Sequence, residues 1–168
     1  AEKYCQAYHK TYGLPTVLLR LFNVYGPEAV TGVSYDFLKK IQANNRRLEV
    51  IGSGEQSKDF IYVEDVLDAI IRVAQIDRAI GEVYNLGSGG TLNVVKLAEQ
   101  ILNLLGLIGV TKIVCDVQPD WPGDVLYTHA DITKINQHLG WKPKNTIEEG
   151  LLETISWFES KYGSIVGH

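Results

Sequence analysis

The chain has 168 residues, 45% of them hydrophobic and 21% charged, enough apolar material for one globular core or two small adjoining ones. A net charge of -4, with basic residues no more clustered than Arg46-Arg47, excludes a nucleic-acid-binding surface. No apolar run approaches the roughly 18 residues a membrane-spanning helix needs, so no membrane partner is expected. Cys5 and Cys115 lie far apart and read as free thiols of a reducing compartment, which points to the cytoplasm. His9, His129, His138 and His168 share no helix face or strand spacing, so no metal is expected.

Residues 1–12 read as a helix with Tyr4, Ala7, Tyr8 and Tyr12 near one face, stopped by Gly13-Leu14-Pro15. It opens on Ala1-Glu2-Lys3-Tyr4 without a capping residue, and the chain has no methionine; the expectation is a chain entered mid-helix. Thr16–Phe22 is a short, nearly all-apolar run that suits a strand covered on both faces, as in a parallel sheet. Asn23-Val24-Tyr25-Gly26-Pro27 then reads as a loop.

A helix over about 34–43 should bury Phe37, Leu38 and Ile41, followed by a strand at Leu48–Ile51 that ends at Gly52-Ser53-Gly54. Phe60-Ile61-Tyr62 leads into a helix from about Glu64 to Gln75, whose acidic start suits the positive end of the helix dipole. Val83–Leu86 is a third strand. After Gly87-Ser88-Gly89-Gly90, Thr91 is expected to cap a helix burying Val94, Leu97, Ala98, Ile101 and Leu105. Lys112–Val117 is a fourth strand, and Asp131 should cap a short helix that stops at Gly140. Thr146 and Glu149 form a capping box before a last helix expected to bury Ile147, Leu151, Leu152, Ile155 and Phe158. Alternating strands and helices define an α/β chain.

Four motifs occur in one order. They are Arg20-Leu-Phe-Asn23-Val-Tyr25-Gly26-Pro27; Gly52-Ser-Gly54-Glu-Gln56-Ser-Lys58-Asp59-Phe60-Ile-Tyr62-Val-Glu-Asp65; Tyr84-Asn85-Leu-Gly87-Ser-Gly89; and a series from Pro122-Gly123-Asp124 through Ala130-Asp131, Leu139-Gly140-Trp141-Lys-Pro143 and Glu148-Glu149-Gly150-Leu151. Together they resemble the C-terminal portion of the extended short-chain dehydrogenase/reductase family, the NAD-dependent nucleotide-sugar epimerases and dehydratases. The resemblance covers essentially the whole chain. Any one motif is weak; four in order are specific.

The resemblance implies the trailing strands and helices of a Rossmann-type domain together with a smaller α/β substrate-binding domain. Residues 1–32 and 60–90 would belong to the NAD-binding core, 33–59 and 91–162 to the nucleotide-sugar-binding domain, and 163–168 to a tail. It implies that Leu21 and Phe22 meet the nicotinamide end of NAD and that Asn23 binds the substrate diphosphate, with a turn-forming Asn as the alternative. It further implies that the strand of Glu49, Val50 and Ile51 reads uracil through main-chain groups. Asp124 would accept from ribose hydroxyls, and Thr128 would face the sugar. Lys58 and Trp121 stand where the family commonly carries Arg, so the diphosphate grip is weakened or rearranged: lysine offers a point charge in place of a bidentate fork. The loop from Glu28 to Val33 is short for the family.

The family's Gly-rich NAD turn and catalytic Tyr-x-x-x-Lys pair are expected upstream of Ala1. Gly87-Ser88-Gly89-Gly90 mimics the opening of such a turn but lacks its last spaced glycine. Tyr35-Asp-Phe-Leu-Lys39 has the catalytic spacing but follows the Asn-Val-Tyr-Gly-Pro segment, so it reads as ordinary helix. The resemblance therefore implies the substrate-binding part of a UDP-sugar 4-epimerase or dehydratase, inactive alone and binding no NAD tightly. A free-standing nucleotide-sugar-binding or assembly module is the alternative. Strands deprived of neighbours should leave apolar faces bare, so a homodimer or larger oligomer is expected.

Overall fold

The computed structural model describes residues 1–115 and 125–166. Six helices alternate with short strands, and three of the four strand pairs among the described residues are parallel. Strand β1 (Leu18–Leu21) pairs with β6 (Val83–Leu86), and β2 (Asn23–Tyr25) pairs with β5 (Phe60–Tyr62). The third parallel pair joins β3 (Arg47–Val50) to β8 (Lys112–Cys115), while the two-residue strands β4 (Ser57–Lys58) and β7 (Leu92–Asn93) run antiparallel. Parallel neighbours need a crossover, and α/β alternation supplies it.

The strand at 23–25 was not expected. Its Asn, Gly and Pro neighbours read as a loop, yet Asn23, Val24 and Tyr25 lie in register with Phe60, Ile61 and Tyr62. Long-range pairing outweighs local turn preference at this position.

Helix α1 (Glu2–Tyr12) buries none of its residues, and Tyr4, Tyr8 and Tyr12 stand exposed along one side. The 16–22 run is likewise not covered on both faces: Leu18 and Leu19 are half-buried, whereas Arg20 and Leu21 are exposed. Helix α2 (Val33–Ala43) buries Phe37, Leu38 and Ile41 as its periodicity demands. Helix α3 (Val63–Gln75) buries Asp65, Val66, Ala69 and Val73 and leaves Leu67, Ile70 and Ile71 exposed.

Helix α4 (Val94–Leu104) is capped by Asn93, not Thr91: the Asn93 side chain accepts from Val95 N at 2.9 Å and Lys96 N at 3.2 Å. Leu92 and Asn93 pair with β4, so the chain stays extended for two residues after Thr91 before the helix turns. Leu105, expected among the buried positions, falls just past the helix and is half-buried. Helix α5 (Thr133–Leu139) begins one residue later than its acidic cap suggested, although Asp131 still accepts from Thr133 N at 2.9 Å. The capping box of Thr146 and Glu149 opens α6 (Ile147–Tyr162). Leu152 does not join its core: it is 46% exposed, because the buried stripe passes through Leu151, Ile155 and Phe158.

Two apolar clusters result. One gathers α2, β3, α4 and α6 around Ile41, Leu48, Ile101 and Phe158. The other gathers α3, β6 and α5 around Ala69, Tyr84, Leu86 and Trp141. At Gly150 the backbone of α6 comes so close to β2 and β5 that an added Cβ would lie 2.4 Å from the Tyr25 hydroxyl and 2.8 Å from the Tyr62 ring. Any larger residue there would have to push the helix outward.

Candidate functional site

A groove of about 460 Å3 runs between α2 and the β3–β4 connection. Val33 and Phe37 of α2, with Val50, Ile51 and Val94, give it apolar walls; Asp36, Lys39, Lys40, Gln56 and Lys58 also line it, the Lys39 ammonium turned toward the Tyr162 ring. The groove's position follows from the strand pattern. β3 alternates exposed and buried residues, so Leu48 and Val50 enter the core while Arg47 and Glu49 face out. Glu49 pairs with Arg47 at 2.9 Å, and the Glu49 carbonyl accepts from Lys40 Nζ at 2.8 Å. An apolar cleft edged by cations suits a ligand with a flat base and phosphates.

Beside the groove, residues 125–130 lie along β4. Ser57 N donates to Leu126 O at 2.8 Å, Thr128 N donates to Ser57 O at 3.0 Å, and the Lys58 ammonium donates to Val125 O. Asp59 follows at once. Its carbonyl accepts from Asn23 Nδ2 at 2.8 Å, and its amide donates to Thr128 Oγ1 at 3.2 Å. The carboxylate takes four donors: Ser88 N at 2.6 Å, Ser88 Oγ at 2.8 Å, Gly89 N at 3.2 Å and Ala130 N at 3.0 Å. Gly87 lets these segments meet, since a Cβ there would sit 2.3 Å from the Ala130 Cβ and 2.8 Å from Asp59 Oδ2.

The residues singled out in sequence thus fall into three places. Val50, Ile51 and Lys58 line the groove, and the Glu49 main chain lies at its edge through Lys40. Asn23 and Thr128 come together at Asp59, their side chains 3.5 Å apart. Leu21 ends β1 and Phe22 links it to Asn23, Leu21 exposed and Phe22 donating its amide to Leu86 O at 3.0 Å. Trp121 and Asp124 lie outside the described residues.

Two decoys stay structural. Lys39 Nζ lies 4.8 Å from the centre of the Tyr162 ring and 5.9 Å from that of Tyr35, within an aromatic group that includes Phe158. Gly87–Gly90 serves as the turn that meets Asp59. Burial, with Asp65 nearby, pushes the Tyr25 phenol well above the ordinary tyrosine range.

Asp59 and Asp65 stand within the second motif, where little local marks them as buried. Both are buried carboxylates that organise loops; Asp65 takes Lys144 N at 2.8 Å, Asn145 N at 3.3 Å and Asn145 Nδ2 at 3.0 Å. The usable signal was an acid beside apolar strand residues, where charge is tolerated when donors surround it. Among the described residues no group of three His, Cys, Asp or Glu could hold a metal ion, and no helix is long and apolar enough to cross a membrane.

Parallel strand pairs joined by crossover helices define an α/β protein. Comparison with known proteins makes this specific. The profile of the family described as GDP-mannose 4,6 dehydratase matches residues 1–154. An uncharacterized UDP-glucose epimerase of Bacillus subtilis is 32% identical over 96% of this chain and 50% of its own length. The crystal structure of UDP-glucose 4-epimerase with UDP-glucose from Thermotoga maritima superposes with a TM-score of 0.84 at 31% identity, over 95% of this chain and 51% of that one. UDP-glucuronic acid 4-epimerase from Bacillus cereus, in complex with UDP-glucuronic acid and NAD, gives 0.83 at 26% identity, over 96% and 50%. The chain belongs to this NAD-dependent epimerase/dehydratase family of extended short-chain dehydrogenases. It spans about half the length of these relatives.

Proposed function

We propose that this chain is the substrate-binding part of an NAD-dependent nucleotide-sugar 4-epimerase or dehydratase, and that its ligand is a UDP-sugar. The observation that carries the reading is the convergence of Val50, Ile51 and Lys58 on one groove with apolar walls and three lysines. The base packs against Val33, Phe37 and Val94 near the β3 edge, and the diphosphate lies toward Lys58. Lysine here gives charge without a fork, so the grip on phosphate depends strongly on salt. Asn23 and Thr128 meet at Asp59, the residue after Lys58.

In the whole enzyme the Gly-rich turn and the Tyr-x-x-x-Lys pair come from sequence outside this chain, and residues 1–32 and 60–90 complete that dinucleotide-binding core. There a tyrosine outside this chain would take the sugar 4-hydroxyl proton, and NAD held by that core would supply the acceptor for the C4 hydride and its later donor. The bare apolar side of α1 and α3 associates with a second copy.

Calorimetric titration of the 168-residue chain tests the reading. UDP and UDP-glucose should bind with affinity that falls as salt rises, and NAD should give no saturable heat. Tight NAD binding without UDP binding would sink it.

A further inference from the structure

Asp59 sits between β4 and β5 and is completely buried, at 0% exposure. A buried carboxylate is costly unless its lone pairs are met, and the Ser88, Gly89 and Ala130 groups meet them. The two peptide units flanking Asp59 are clamped as well, one by Thr128 Oγ1 on the amide and one by Asn23 Nδ2 on the carbonyl. Three segments distant in sequence, at 23, 88–89 and 128–130, therefore grip one residue.

Lys58 is the residue immediately before it and lines the groove. β4 is two residues long; Lys58 stands opposite Leu92 of β7, and its ammonium donates to Val125 O. A lysine side chain is long and flexible, and where its ammonium can reach is decided by where its backbone is held. The Asp59 clamp holds that backbone.

We propose that Asp59 is a positioning residue for Lys58, acting on ligand phosphate through it. The proposal rests on the reading of the groove as a nucleotide-sugar site. The carboxylate never touches ligand; it fixes the angle at which the lysine leaves the chain.

A double-mutant cycle on UDP affinity, read by calorimetry, tests it. Asp59→Asn keeps the shape but turns an NH2 group toward two of the four donors. Lys58→Ala should weaken UDP several-fold. Asp59→Asn should weaken UDP about tenfold in the Lys58 chain and less than about twofold in the Lys58→Ala chain, since contacting residues couple. A purely structural role would instead give the same loss in both backgrounds, and that result overturns the proposal. So does a Lys58→Ala chain that binds UDP as well as the parent.

Should Asp59→Asn fail to melt cooperatively, Ser88→Ala takes its place in the cycle, removing one donor without changing charge. A loss of about threefold confined to the Lys58 background is then expected, and an equal loss in both backgrounds counts against the idea. A parent chain with no UDP affinity overturns the groove reading and this proposal together; a parent that binds while the variants act additively overturns the Asp59 role alone.

Discussion

The region built on α2, β3, α4 and α6 closes its own core, whereas the region built on α1, β1 and α3 does not. In the first, Ile41, Leu48, Ile101 and Phe158 are wholly enclosed. In the second, Tyr4, Tyr8, Tyr12, Leu21, Leu67, Ile70 and Ile71 all reach solvent. Helix α3 is as clearly amphipathic as α2 and α4, so patterning tells which faces want cover and not whether this chain supplies it. The groove lies against the closed region; the open region is where we expect association.

Substitutions should separate the two sharply. Phe158→Ala empties the middle of the closed core and should cost about 3–5 kcal/mol in denaturant unfolding. Gly150→Ala comes next. Replacing a helix-interior glycine ordinarily stabilises by about 1 kcal/mol, but here the new methyl meets Tyr25 and Tyr62, and overpacking of about 1–3 kcal/mol decides the sign as destabilising.

Smaller again is the capping box. The Thr146 amide, and then its hydroxyl, hold the Glu149 carboxyl below its ordinary pKa. A lowered folded-state value gives stability that is present above the ordinary glutamate range and lost as pH falls through the folded value. Glu149→Gln should therefore lower the melting temperature at pH 7 and leave it nearly unchanged near pH 3. Equal drops at both pH values would show that the carboxylate charge is irrelevant.

At the small end, Ile71→Ser in the open region should shift stability by less than about 0.5 kcal/mol. Its effect should appear in association instead. Light scattering at high concentration should give more than one chain per particle for the parent, and Tyr8→Lys with Ile71→Ser should reduce that mass. A parent that scatters as one chain at every concentration would remove the contrast drawn between the regions.

Much of this was readable in the residues themselves. The helices ending at Gly13 and Gly140 and the capping box at Thr146 lie within local reach of their signals. What escaped depends on partners far along the chain. Asn23–Tyr25 became a strand because Phe60–Tyr62 lies beside it, and helix α4 waits for Asn93 because Leu92 first pairs with Lys58. Of the site, the family motifs pointed to Val50, Ile51 and Lys58, which the structure brings to one groove. The tie between Asn23 and Thr128 was hidden, since it passes through Asp59 and residues 105 positions apart. No periodicity reports a buried acid whose donors arrive from three directions.

The three parallel ladders also set a timetable for synthesis. Chain emerges from the N-terminus, and a ladder can form only after its second strand has been made. β2 can find β5 once Tyr62 is out, β1 must wait for Leu86, and β3 for Cys115. Leu48 and Val50 therefore stay without their partner strand until Cys115 has been made, and hairpin-like local closure cannot shelter them. Pairings this distant in sequence fold slowly. The growing chain must keep the open edge of β3, from which Val50 later lines the groove, unpaired until Lys112–Cys115 has been made.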